Sequence, residues 1–168
     1  PACFGKELHK RQFRFKGYFE LAYLAPRYFQ PDPSIRVKLG LTDEEKFVLL
    51  RLVSWEAAHD ISHHGLSDEE KEELAATFSG LVKVFISAEG VLPEGLEHLR
   101  LKTPAWAIHQ VMAHASLVFS EGATMAAEAA VLGVPAIHCS DLRPGYLIDL
   151  EKRYGLLNSF GHLDFQMA

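Results

Sequence analysis

The run Ser120-Glu121-Gly122-Ala123-Thr124-Met125-Ala126-Ala127-Glu128 holds the residue types and spacing best suited to chemistry in this chain. It leaves an apolar stretch, turns at Gly122 and enters a helical segment whose first turn carries only small or capping residues. The start of a helix offers unpaired backbone N–H groups and a partial positive charge, and glycine and alanine let an anion come close to them. Thr124 adds a hydroxyl. Glu128 follows at the i to i+4 spacing, on the same helix face, where its carboxylate could accept both hydroxyls of a ribose whose phosphates sit at the helix start. The same residues also fit a plain strand-to-helix turn with small packing residues and a surface glutamate. Spacing alone leaves these two readings open.

Other residues compete for a chemical role. His59, Asp60, His63 and His64 crowd one loop, and imidazole with carboxylate suits zinc. A loop in which Trp55, His59 and Asp60 line a ligand cleft explains the same residues without a fourth ligand, so no metal is expected. The candidate catalytic residues are Glu20, Glu89 and His59, the two glutamates as general bases if both reach one cleft. Alternatively, Glu20 organises the chain near Gly17 and Glu89 caps a backbone turn. His109 and His138 read as packed or hydrogen-bonded histidines. Cys139 and Ser54 have no evident activating neighbour, which argues against a nucleophilic hydrolase.

These residues must be positioned by alternating strands and helices. Continuous apolar runs predict strands at Phe47 to Val53, Leu81 to Ser87, Leu117 to Phe119 and Val134 to His138. Ser67-Asp68-Glu69-Glu70 is a capping box that opens a helix to about Ser79. Pro104 starts a helix carrying Ile108, Val111, Met112 and Ala115 on one face. Further helices run from Ala123 to Leu132, closed by Gly133, and from about Tyr146 to Tyr154, ended by Gly155. This alternation predicts an α/β fold: a three-layer α/β/α, Rossmann-like parallel sheet with helices on both faces. Ligands of such sheets bind beyond the carboxyl ends of the strands. Ser87 and Glu121, at two of those ends, therefore join His109 as expected cleft-lining residues.

Composition narrows the partners. At 168 residues, one domain with its own core is expected, and 48% hydrophobic against 23% charged content argues against disorder. A net charge of −5 gives no general attraction to nucleic acid or anionic lipid. The apolar run from Met125 to Val134 is too short and too interrupted to span a bilayer. Cys3 and Cys139 suggest no disulfide framework, so a reducing, cytoplasmic setting is expected. Residues 1–35 mix Lys6, Lys10, Arg11, Arg14 and Lys16 with aromatic side chains such as Phe13, Phe15, Tyr18, Phe19, Tyr23, Tyr28 and Phe29, and are punctuated by Pro26, Pro31 and Pro33. They read as an interdomain linker or hinge, with a short strand from Gln12 to Phe15, ahead of a domain over 36–168. Starting at Pro1 and stopping soon after Gly161, the chain is expected to be a piece of a longer protein.

The pattern Gly-Ala-Thr-Met-x-x-Glu-Ala-x-x-Leu-Gly-x-Pro from Gly122 to Pro135 resembles the nucleotide-sugar signature of GT-B proteins such as UDP-N-acetylglucosamine 2-epimerases and the glucosaminyltransferase that makes lipid II. Three further stretches, Lys16 to Leu24, Arg51 to Asp60 and Ser87 to Pro93, together with that pattern look like the family called domain of unknown function 354. The resemblance implies the C-terminal half of a GT-B fold. It implies diphosphate at Gly122, Ala123 and Thr124, with Met125 also among the nucleotide-binding residues, ribose on Glu128, and a nucleobase against the Ile108 backbone. It also implies a UDP-sugar as substrate, no metal or other cofactor, and a missing N-terminal domain or partner chain. A non-catalytic nucleotide-binding or protein-interaction module is the rival reading, because fold likeness does not separate binding from catalysis.

Overall fold

The computed structural model describes residues 10–53 and 65–161. Five strands, β1 (Phe47–Leu52), β2 (Lys83–Ala88), β3 (Leu117–Ser120), β4 (Ala136–Cys139) and β5 (Leu157–Phe160), form one sheet in the order β2-β1-β3-β4-β5. Every pairing is parallel. Parallel neighbours need crossovers, and helices supply them: α3 (Asp68–Ser79) after β1, α4 (Ile108–Ala113) before β3, α5 (Ala123–Val131) after β3 and α6 (Gly145–Tyr154) after β4. Two short helices, α1 (Leu21–Leu24) and α2 (Ser34–Lys38), precede the sheet. No helix among the described residues is long and apolar enough to cross a membrane.

Strand alternation divides the core in two. Phe47, Leu49, Val118, Ala136 and Leu157 face one way and pack with Val111 and Met112 of α4, the alanines of α5, and Leu147 and Leu150 of α6. Val48, Leu50, Leu52, Val84, Ile86 and Phe119 face the other way, toward Leu74 and Ala75 of α3 and Leu96 of a 3-10 turn, Glu94–Leu99. A central strand covered on both faces must be apolar throughout, which is why β1 reads as a near-continuous run. The segment ahead of the sheet also packs onto it. Tyr18 and Ile35 join the first cluster, and the Tyr18 hydroxyl donates to Asp149 on α6 at 2.5 Å.

The element boundaries follow from where backbone groups find partners. The capping box forms as expected: the Glu70 amide donates to Ser67 Oγ at 3.2 Å, and the Ser67 amide donates to Glu70 Oε2 at 2.7 Å. Strand β2 starts at Lys83 rather than Leu81, because the amides of Leu81 and Val82 are used to close the end of α3 on the Phe78 carbonyl. Likewise β4 starts at Ala136: Val134 is bonded back to Ala129, and Pro135 has no N–H to give. Pro104 is extended, with ψ 147°, so the helix expected there begins as a 3-10 turn, Ala105–Ala107, before α4. Helix α6 ends at Gly155 in the left-handed region, φ 65°, where a side chain would be strained.

Two expectations are corrected. Gln12 to Phe15 is not a strand; Phe13 is almost wholly exposed, and the sheet edges are β2 and β5. The fifth strand, Leu157–Phe160, was not expected and extends the sheet beyond β4.

Candidate functional site

The sheet order places a switch point between β1 and β3. The chain leaving β1 goes to α3 on one face, and the chain leaving β3 goes to α5 on the other. A crevice beyond the carboxyl ends of the strands is the usual result, and it is where such sheets bind ligands. The residues with Gly122 at their head sit there.

The turn into α5 is held by Ser120. Its Oγ donates to the Gly122 carbonyl at 2.7 Å and accepts from the Gly122 amide at 3.1 Å. Gly122 is the N-cap, and it supplies no side chain to cap the helix. Its φ of −92° suits any residue, and an added Cβ would make only ordinary contacts with Val53 and Ser120. Neither backbone nor packing therefore demands glycine here. The uncapped first turn opens on exposed Thr124, which stands against Tyr146 at the start of α6.

Register adds a feature invisible along the chain. Ser87, Arg51, Ser120, His138 and Ser159 are paired strand to strand across the whole sheet, one on each strand in turn. They lie on the α5 side, at the carboxyl edge, directly after the apolar rows of Phe47, Leu49, Val118, Ala136 and Leu157. The core thus gives way to a polar row where the ligand crevice begins. Arg51 donates to Ser87 Oγ at 3.0 Å and pairs with Glu89. It lines a cavity of about 340 Å³ with Ser87, Arg100, Thr103, Ile108 and Met125. Three residues expected at the site, Ser87, Ile108 and Met125, share that cavity. The Ile108 amide is already donated to the Ala105 carbonyl, so an amide contact with a base would have to replace that bond.

The glutamates diverge. Glu121 is 1% exposed; its Oε2 accepts from the Val53 amide at 2.8 Å and its Oε1 from the Leu66 amide at 2.7 Å. It therefore joins the two ends of the loop after β1 to the end of β3. Glu128 is buried too, 6% exposed, rather than standing on the helix surface. Its Oε1 accepts from the Tyr23 hydroxyl at 2.8 Å and faces His109 Nε2 at 3.0 Å. Glu20 is buried beside it; desolvation, joined by the Glu128 charge, pushes its carboxyl above the ordinary range. Glu89 is drawn onto Arg51 instead. His138 has no exposure, and burial with the nearby Arg143 lowers its pKa to about 4, so it is neutral near pH 7. Burial, with Glu121 next in effect, raises the Cys139 thiol to about 12, which removes it as a nucleophile.

Trp55, His59, Asp60, His63 and His64 lie outside the described residues. Among the described residues no group of three or more His, Cys, Asp or Glu side chains could hold a metal ion. Sequence reasoning missed Arg51, Arg100, Thr103 and Tyr23. The one available signal was Arg51, the single charge in an apolar strand.

The fold and site define a Rossmann-like parallel α/β domain with its candidate ligand crevice at the sheet's switch point. The chain belongs to the family described as Protein of unknown function (DUF354), whose model matches residues 4–156. A comparison with curated proteins gave no match.

Proposed function

We propose that this domain binds a nucleotide sugar, a UDP-sugar above all, as the nucleotide-holding half of a GT-B-type glycosyltransferase or sugar epimerase. The observation that carries the reading is the uncapped start of α5 at the switch point, next to a cavity shared by Ser87, Ile108 and Met125. Amides at Ala123, Thr124 and Met125 meet the diphosphate, Glu128 meets the ribose, and the cavity takes the base. In either reaction negative charge grows on the diphosphate as the glycosidic C–O bond weakens, and amides aimed at that charge stabilise it without reorganising. The reading asks for no metal.

Glu128 narrows the ribose contact. Each carboxylate oxygen has about two acceptor positions, and Oε1 already has Tyr23 and His109. Oε2, which has no hydrogen-bond partner among the described residues, is left for both ribose hydroxyls. Calorimetry with UDP, uridine and single-stranded RNA tests the proposal. UDP is expected to bind at least about tenfold more tightly than uridine, the effect of one charge-assisted hydrogen bond or more at the phosphates. Equal affinities, or RNA binding in place of UDP, would refute it.

A further inference from the structure

We propose that Tyr23 and His109 are positioning residues that lock the Glu128 carboxylate so that Oε2 alone reads the ribose hydroxyls, an inference that rests on the nucleotide reading above. A glutamate on a helix ordinarily turns freely about its last bond. Here the side chain is 8% exposed and one oxygen is held from two directions, by the Tyr23 hydroxyl at 2.8 Å and by His109 Nε2 at 3.0 Å. A carboxylate only accepts, so Tyr23 donates its proton and His109 carries hydrogen on Nε2. Turning the carboxylate out of its plane would break both bonds at once, whereas a half-turn only exchanges two equivalent oxygens and leaves one facing the ribose.

The donors are themselves held. The Tyr23 and His109 rings meet at 5.6 Å, and Phe29 stands edge-on to His109 at 6.4 Å. His109 is on α4, Glu128 on α5, and Tyr23 on α1, 105 residues away from Glu128 in sequence. The short helix ahead of the sheet thereby becomes a working part of the site. Had the three residues served packing alone, apolar side chains would fill the same space without desolvating a carboxylate.

The test compares UDP with 2′-deoxy-UDP by calorimetry on the full chain, with melting temperatures alongside. The parent protein is expected to bind UDP roughly tenfold or more better than the deoxy form, the loss of one hydrogen bond to a charged group. In Tyr23→Phe the UDP affinity falls toward that of the deoxy ligand, whose own affinity stays put, and the ratio shrinks to about threefold or less. Adding His109→Asn brings the ratio close to one. A Tyr23→Phe protein that melts lower yet keeps the parent's ratio would overturn the inference while leaving the nucleotide reading intact. A parent that binds UDP but does not distinguish it from 2′-deoxy-UDP would remove the ribose role of Glu128, and the inference with it. A parent that binds neither would refute the functional reading itself.

Discussion

Replacing Glu121 with glutamine should destabilise the domain by about 2–4 kcal/mol, although the two side chains have nearly the same shape. The carboxylate is almost fully buried and accepts one backbone amide on each oxygen, from Val53 at 2.8 Å and from Leu66 at 2.7 Å. Glutamine keeps one acceptor and turns the other into an NH2 that faces an N–H. One charge-assisted bond is lost, the second becomes neutral, and a donor is left buried without a partner, which together give that magnitude. For a chain of this length each kcal/mol shifts the melting temperature by about 2–4 °C, so Glu121→Gln should melt roughly 5–15 °C lower. Thermal and urea unfolding followed by circular dichroism would measure it. The urea midpoint should fall with its slope unchanged. Glu69→Gln, on the exposed side of α3, is the control and should move stability by no more than about 0.5 kcal/mol. A Glu121→Gln protein within about 2 °C of the parent would refute the idea that this carboxylate ties the loop after β1 to the end of β3.

Ser67→Ala removes the side-chain half of the capping box and should cost about 0.5–2 kcal/mol in urea unfolding, with Ser67→Asp restoring most of it. His138, whose folded pKa of about 4 lies below the ordinary 6.5, favours the neutral form in the fold. Its contribution is present above pH 6.5 and is lost as pH falls toward 4, because the unfolded chain takes up the proton first; the change is on the order of 3 kcal/mol. His138→Leu should flatten the pH dependence of stability across that window, and an unchanged slope would contradict it. Glu128→Ala leaves Tyr23 and His109 without their acceptor, so it should lower the melting temperature by several degrees as well as weaken UDP binding.

The parts of this fold that the sequence made legible are those governed by local rules. Phe47 to Leu52 is buried on both faces and therefore apolar throughout, and Ser67 with Glu70 spells its cap within four residues. Strand β5 escaped because it has four residues, Leu157 and Ser159 facing in and Asn158 and Phe160 facing out, too few for alternation to register. The candidate site divides the same way. The small-residue start of α5 is written in consecutive positions. By contrast, the burial of Glu121 depends on amides 68 and 55 residues away, and that of Glu128 on a hydroxyl 105 residues away. Glutamate is ordinarily a surface residue, so nothing nearby in the chain marks either one. The polar row from Ser87 to Ser159 exists only through register, since each member alone looks like an ordinary strand end.

The proposed function seats a nucleoside diphosphate on the first turn of α5. Amide chemical shifts recorded by nuclear magnetic resonance while UDP is added would test this most directly, because they report where the phosphates lie. The largest changes are expected at the amides of Ala123, Thr124 and Met125, with smaller ones at Arg51 and Ile108 around the cavity. Changes confined to the basic segment around Lys10 to Lys16, or absent from the start of α5 at saturating UDP, would contradict it.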